Sequence, residues 1–322
     1  MKAALVTDSG LTITPMAPPT PSAQQVLVKV SAAALNRADL AVISGGRHGS
    51  HGGPGTVPGM EWAGTIEAVG AEVPGLKVGD RVMCSGMGGY AEYAVTDWGR
   101  VMLIPEAMSF EDAVTQPVAI QTMHNALITA GAMQSGDTVL IQGASSGVGL
   151  MAMKIARRMG ASRVIGTSTH AARRARLAEF GADVAIDTTQ PDWYEQVVRA
   201  NGGQGVDLVI DQLSGPYGTG NLHACKVLGR IVNVGRLAGR FAEFDFDLHA
   251  LKRISYVGVT FRTRSVQEVR DINAVAQKDL GQAIESGALV LPIDRVFDFD
   301  DLPQAFEHMR TNQHFGKIVI RF

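Results

Sequence analysis

The sequence predicts an α/β chain of two parts: a β-rich domain and a doubly wound parallel sheet with helices on both faces. Three observations carry that expectation. The chain has 322 residues, roughly twice a typical domain of about 150. Its first hundred residues are short β-prone runs broken by Gly and Pro. From Asp137 onward, apolar strand-like runs alternate with helical ones, the pattern of a parallel sheet built from crossover units.

In order, Val26 to Val30, Gly64 to Val69 and Tyr90 to Val95 read as strands. Pro15 to Ser22 is a turn or linker, because proline cannot donate to a ladder. Residues 45–59 hold seven glycines with Pro54 and Pro58. With so little side chain to bury, this stretch is expected to be a mobile loop, either a lid or substrate rim or a tolerated insertion. Thr138 to Gln142 is a strand, and Leu150 to Met159 a helix with basic residues towards its end. Arg163 to Gly166, Val184 to Ile186, Val206 to Asp211, Arg230 to Val234 and Tyr256 to Thr260 follow as strands, with a helix over Ala171 to Phe180. The tail carries a helix from about Val269 to Ser286, a strand near Val290 to Phe297, a helix from Leu302 to Thr311 and a strand Lys317 to Ile320. Strands stranded after the parallel unit return most naturally to the first domain. That gives a discontinuous domain of residues 1–118 and 261–322 around a second domain of residues 119–260.

Composition narrows the function. Lys plus Arg is 29 and Asp plus Glu 31, a net charge of −2. A protein relying on phosphate neutralisation would show a basic surplus, so no nucleic-acid partner is expected. No run of about 18 apolar residues is present and the N-terminus does not read as a signal peptide, so a cytoplasmic protein without membrane contact is expected. Two cysteines, Cys84 and Cys225, cannot build a zinc finger or a disulfide framework. Glycine, 37 of 322 residues, exceeds the usual 7% or so; tight turns and close backbone approach are required somewhere.

One such place is Ile141 to Gly149, IQGASSGVG, between a strand and a helix. Ala144, Ser145, Ser146, Gly147, Val148 and Gly149 occupy the frame of a dinucleotide fingerprint, with small residues replacing its first two glycines. Small residues let backbone amides and a helix N-terminus approach a pyrophosphate; an ordinary tight turn is the alternative. An NAD site usually carries an acid about 20 residues on. Here the second strand ends in Thr167, Ser168 and Thr169, followed by Arg173 and Arg174. Hydroxyls accept a 2′-phosphate that a carboxylate would repel, and guanidinium groups supply countercharge. The expected cofactor is therefore NADP(H), unless the two arginines only solvate a helix face.

The sequence resembles the medium-chain dehydrogenase/reductase superfamily, specifically its zinc-independent quinone oxidoreductase branch, with the subgroup related to the p53-inducible quinone reductase nearest. The resemblance is carried by Ala34 to Asp39 (ALNRAD), Pro58 to Gly64 (PGMEWAG), Val78 to Val82 (VGDRV), Gly88 to Tyr93 (GGYAEY), the 143–149 loop and Phe315 to Val319 (FGKIV). It implies a GroES-like catalytic domain wrapped around a Rossmann domain, and a homodimer paired through the last strand of the parallel sheet. Asn36, Met60 and Val118 stand where zinc-bearing relatives hold the catalytic metal, and none is a usual zinc ligand. His48 and His51 lie on the glycine-rich loop and are read as solvent-exposed rather than as a metal site. The resemblance also implies Asn36 near the nicotinamide, donating to substrate or ribose unless it only stabilises its loop, and Thr122 against the nicotinamide ring. Leu213, Val234 and Gly235 lie at C-terminal strand ends, where open α/β sheets bind ligands. Phe261 and Arg262 come near the nicotinamide by the same analogy, and Lys317 either reaches a cofactor phosphate or caps the last strand.

Without zinc no Lewis acid polarises the substrate, so the acceptor must take hydride unaided: a quinone or an α,β-unsaturated ketone. The oxyanion that forms needs a hydrogen-bond donor, and the carbanion equivalent a proton. Ala41 removes a tyrosine proton donor that some relatives carry there, leaving solvent or one-electron quinone reduction open. Asp39 and Glu61 are read as structural. A 2-enoyl-thioester reductase is the alternative enzyme, and a non-catalytic NADPH-binding protein of crystallin-like or RNA-binding type the alternative of another class.

Overall fold

The computed structural model describes residues 1–8, 10–49 and 51–322, without the His48 side chain. The chain divides into two compact units, Met1–Gln121 with Phe261–Phe322, and Thr122–Thr260.

In the first unit, among the described residues, a seven-stranded sheet runs Ile293–Asp298, Lys317–Arg321, Gln25–Ala34, Glu61–Val69, Arg81–Ser85, Val101–Leu103, with Tyr93–Asp97 also on Gln25–Ala34. The C-terminal strands do return: Val319 opposes Ala34, antiparallel. Ile293–Asp298 and Lys317–Arg321 run parallel, joined across the helix Leu302–Arg310. Gln25–Ala34 alternates buried Val26, Val28 and Val30 with more exposed neighbours, the period of a strand with one face on a core. Trp62, Tyr90, Phe306 and Ile320 close that core.

Several boundaries differ from expectation for physical reasons. The strand expected from Tyr90 begins at Tyr93, because Tyr90 turns fully inward and its hydroxyl donates to Asp39. The glycine-rich stretch is not featureless: Arg47–His48 pairs antiparallel with His51–Gly52. A Cβ on Gly49 would lie 2.8 Å from the Arg262 carbonyl oxygen, so this segment closes onto the chain at residue 262. The expected loop thus contains a short hairpin, and the His48 side chain of the histidine pair lies outside the described residues.

In the second unit the sheet is parallel throughout. Its order is Val184–Ile186, Arg163–Thr167, Thr138–Ile141, Val206–Asp211, Cys225–Asn233, Ser255–Gly258. The chain starts in the middle, winds outward one way, then returns to wind the other, leaving a switch point beside Thr138–Ile141. The helix expected over residues 171–180 breaks: Ala171–Ala175 is α-helical, Leu177–Phe180 a 3₁₀ turn. Leu177 and Phe180 are both buried, and three residues per turn brings i and i+3 onto one face. Gly181, at φ +104°, ends it.

Candidate functional site

At the switch point, strand Thr138–Ile141 passes through Gly143 (φ +69°) into helix Gly147–Arg158. Ser146 caps the helix: its hydroxyl accepts from the Gly149 amide at 3.1 Å and donates to the Gly143 carbonyl at 2.9 Å. The amides of Gly147 and Val148 precede the first intrahelical bond and so face out of the helix end, where they and the helix dipole favour an anion. A Cβ on Gly149 would sit 2.6 Å from the Gly143 carbonyl oxygen, so only glycine lets the turn close this tightly. These features fit a dinucleotide pyrophosphate.

A buried polar network fixes the turn. Thr167 donates to Gln142 Oε1 at 2.8 Å and accepts from the Gly143 amide at 3.1 Å. Gln142 in turn donates to Asn221 at 2.8 Å, and Gln212 to the Gln142 carbonyl at 3.0 Å. Asp211 receives the amides of Leu213 and Ser214 at 2.8 and 2.9 Å; burial nevertheless pushes its carboxyl upward.

The structure brings most of the expected cofactor residues of this unit together. Leu213 packs over Gly143, within 3.2 Å of where its Cβ would be. Val234 and Gly235 donate amides to Asp211's carbonyl at 2.7 and 3.2 Å. The Ser145 and Ser168 hydroxyls lie 3.1 Å apart, and Thr169 is exposed beside them. Two residues do other work: Ala144 is fully buried, and Thr167 is buried with its hydroxyl spent inside. Arg174 pairs with Asp187 at 3.0 Å and donates to the Ser168 carbonyl at 2.9 Å. Arg173 is half-buried on the same helix. Thr122 is half-buried in the helix Pro117–His124, which leads into a π-helical turn, Asn125–Ala130.

Asn36, Lys317, Phe261 and Arg262 belong to the first unit. Phe261 is half-buried under the Arg264 guanidinium, 5.8 Å from its ring centre, and Arg262 is exposed. Lys317 is 5% exposed and turned inward: its ammonium pairs with Glu61 and donates to Asn36 Oδ1 at 3.1 Å. The expected phosphate contact or strand cap is therefore corrected, since a buried carboxylate claims that cation. Asn36 Nδ2 donates to Glu61 Oε1 at 2.9 Å, and Glu61 Oε2 accepts the Val118 amide at 2.9 Å. Next to this cluster Asp39 accepts from the Tyr90 hydroxyl at 2.6 Å and the Asn36 amide at 2.8 Å. These positions do not fit zinc: Val118 offers only a backbone N–H, Met60 is buried, and an ammonium already occupies the acceptor of Asn36.

Sequence reasoning missed the Glu61–Lys317 pair and the Gln142–Asn221 network. One signal was present: Lys317 opens an otherwise apolar run, KIVI, and a lysine there demands a buried acid.

The comparisons agree with this architecture. Residues 22–106 match the alcohol dehydrogenase GroES-like domain and residues 147–277 the zinc-binding dehydrogenase domain. Human (Homo sapiens) quinone oxidoreductase is 30% identical over 308 residues, 95% of this chain and 91% of that one. A phenolphthiocerol/phthiocerol polyketide synthase of Mycobacterium tuberculosis is 31% identical over 301 residues; the match covers 93% of this chain but spans only 14% of that longer protein. Among solved structures, a mycobacterial protein complexed with NADPH superposes over the whole of both chains (TM-score 0.88, 26% identity). CurK enoyl reductase covers 99% of each (TM-score 0.86, 28% identity). The fold and these relatives define an oxidoreductase class. The chain belongs to the medium-chain dehydrogenase/reductase superfamily, in its quinone oxidoreductase branch.

Proposed function

We propose that this protein is an NADPH-dependent, zinc-independent oxidoreductase that reduces quinones or α,β-unsaturated ketones. The observation that carries the reading is the capped turn Gly143–Gly149 beside a second strand, Arg163–Thr167, followed by Ser168 and Thr169 rather than an acid. NADPH, as in the mycobacterial neighbour's complex, supplies the hydride. The Gly147 and Val148 amides hold its pyrophosphate, while Ser145, Ser168, Thr169 and Arg173 face the 2′-phosphate end, with Arg174 held back by Asp187. Leu213, Val234 and Gly235 line the same strand ends. Asn36 offers an N–H to the oxygen where negative charge develops, and Thr122 flanks the reacting ring. Water protonates the product, because Ala41 leaves no tyrosine donor there.

An enoyl thioester is the second substrate reading, supported by the likeness to CurK enoyl reductase; hydride addition to its β-carbon is the same chemistry. Steady-state NADPH and NADH consumption over ortho- and para-quinones, enones and enoyl thioesters separates these readings. Turnover of quinones or enones, faster with NADPH, supports the proposal. Turnover of thioesters alone transfers it to the second reading, and NADPH binding without turnover on any acceptor contradicts both.

We also propose a cytoplasmic homodimer. Cys84 and Cys225 are free and buried, as a reducing compartment allows, and no described helix is long and apolar enough to cross a membrane. Ser255–Gly258 ends the parallel sheet, and a strand in that position offers a row of backbone donors and acceptors to another copy. Exposed Tyr256 and Phe246 both pack on Phe244 there, with exposed Leu251 on the adjoining helix Phe246–Lys252.

A further inference from the structure

The Glu61–Lys317 pair is a buried ionic group that hydride delivery does not itself require. A buried pair costs desolvation that a pair of apolar residues would avoid, and such pairs are weak evidence for stability. What this one contacts is informative. Asn36 Oδ1 accepts from the Lys317 ammonium at 3.1 Å, and one Nδ2–H donates to Glu61 Oε1 at 2.9 Å. Among the described residues the other Nδ2–H has only the Ala34 carbonyl, at 3.4 Å, long for an N–H···O bond. Flipping the amide would set its carbonyl against the Glu61 carboxylate and its NH₂ against an ammonium. The pair thereby fixes which way the amide faces and leaves one N–H weakly engaged. Glu61 is itself anchored, since its second oxygen takes the Val118 amide at 2.9 Å. Lys317 and Glu61 are buried whereas Asn36 is half-buried, so the ions stand behind the amide.

We infer that Lys317 and Glu61 are positioning residues that act through Asn36, locking its amide so that the weakly engaged N–H meets the substrate oxygen during hydride addition. The inference rests on the proposed function. In that reaction the acceptor gains a hydride as NADPH is oxidised to NADP⁺; Asn36 stabilises the oxyanion so formed, and water supplies the proton, to the α-carbon of an enolate or to the oxygen of a hydroquinone anion. A preset donor stabilises that charge without reorganising when it appears.

The test is a double-mutant cycle on the full chain: Lys317→Met, Asn36→Ala and the pair together, with Lys317→Arg as the conservative variant. Each is read by kcat and KM with NADPH and the best quinone or enone, and by NADPH affinity from nucleotide fluorescence. Lys317→Met is expected to lower kcat roughly 10- to 100-fold, the scale of a misplaced reacting group, with NADPH affinity nearly unchanged. Added to Asn36→Ala it should cost nothing further, because its effect passes through that amide, and Lys317→Arg should recover part of the loss. Where Lys317→Met does not fold, Glu61→Gln removes the carboxylate at nearly constant volume and should give the same kcat loss and the same lack of additivity. An unchanged kcat, fully multiplying losses, or a large loss of NADPH affinity overturns the inference while leaving the functional reading in place. A wild type inert towards every quinone and enone overturns the functional reading and this inference with it.

Discussion

Asp39 is a carboxyl held far from its ordinary state. Burial raises its carboxyl from an ordinary value of 3.8 to about 7; Tyr90's hydroxyl, Asn36's amide and the Lys317 charge pull it down, and the Glu61 charge pushes it up. Between those two values the folded protein holds a proton that the unfolded chain has released. Asp39 therefore makes stability fall as pH rises through that window, by at most about 1.4 kcal/mol per pH unit. Asp39→Asn should remove that slope. Thermal unfolding of both proteins between pH 5 and 7.5 checks this: the gap between them should narrow or reverse towards higher pH, and parallel curves would contradict it. The sequence reading took Asp39 and Glu61 as structural, because the proposed reaction needs no general base; the structure buries both, with Asp39 bonded to Tyr90 and Glu61 paired with Lys317. Lys317's partner was not legible, because Glu61 lies 256 positions away: the apolar run after Lys317 calls for a buried acid without saying which one.

At the scale of elements, the nucleotide turn was the most legible part, since a strand, a small-residue turn and a helix are all local. Its support was not legible: Gln142, Thr167, Gln212 and Asn221 come from four separate segments and meet only in the folded sheet. The start of the long helix Val266–Glu285 was likewise placed late from apolar spacing alone, while Ser265 and Glu268 fix it with a reciprocal capping box. The turn yields a direct prediction. In Gly149→Ala the new Cβ would meet the backbone of Gly143 and Ala144 at 2.6 to 2.7 Å, and neither can move without opening the turn. We expect a stability loss of about 1–3 kcal/mol, typical of overpacking, with a disproportionate loss of NADPH affinity. Chemical denaturation and nucleotide titration report the two effects separately; intact affinity would detach this turn from the cofactor.

For the whole molecule, the discontinuous organisation could be inferred because two C-terminal strands had no place in the parallel unit, and Lys317–Arg321 indeed pairs with Gln25–Ala34. Assembly is argued from the exposed end strand Ser255–Gly258 and its aromatic neighbours. Sedimentation should give twice the 34.1 kDa chain mass, and Tyr256→Glu with Phe246→Glu should shift it to the monomer; a monomeric wild type would remove the dimer from the account. The central claim, hydride transfer from NADPH without zinc, is tested most directly by isotope transfer. NADPH deuterated at the transferring position is mixed with an enone in the presence of a strong chelator, and the product is read by mass and NMR. The account predicts one deuterium at the β-carbon, with the rate unaffected by chelator. Product without deuterium, or activity that disappears with the chelator and returns with zinc, would contradict it.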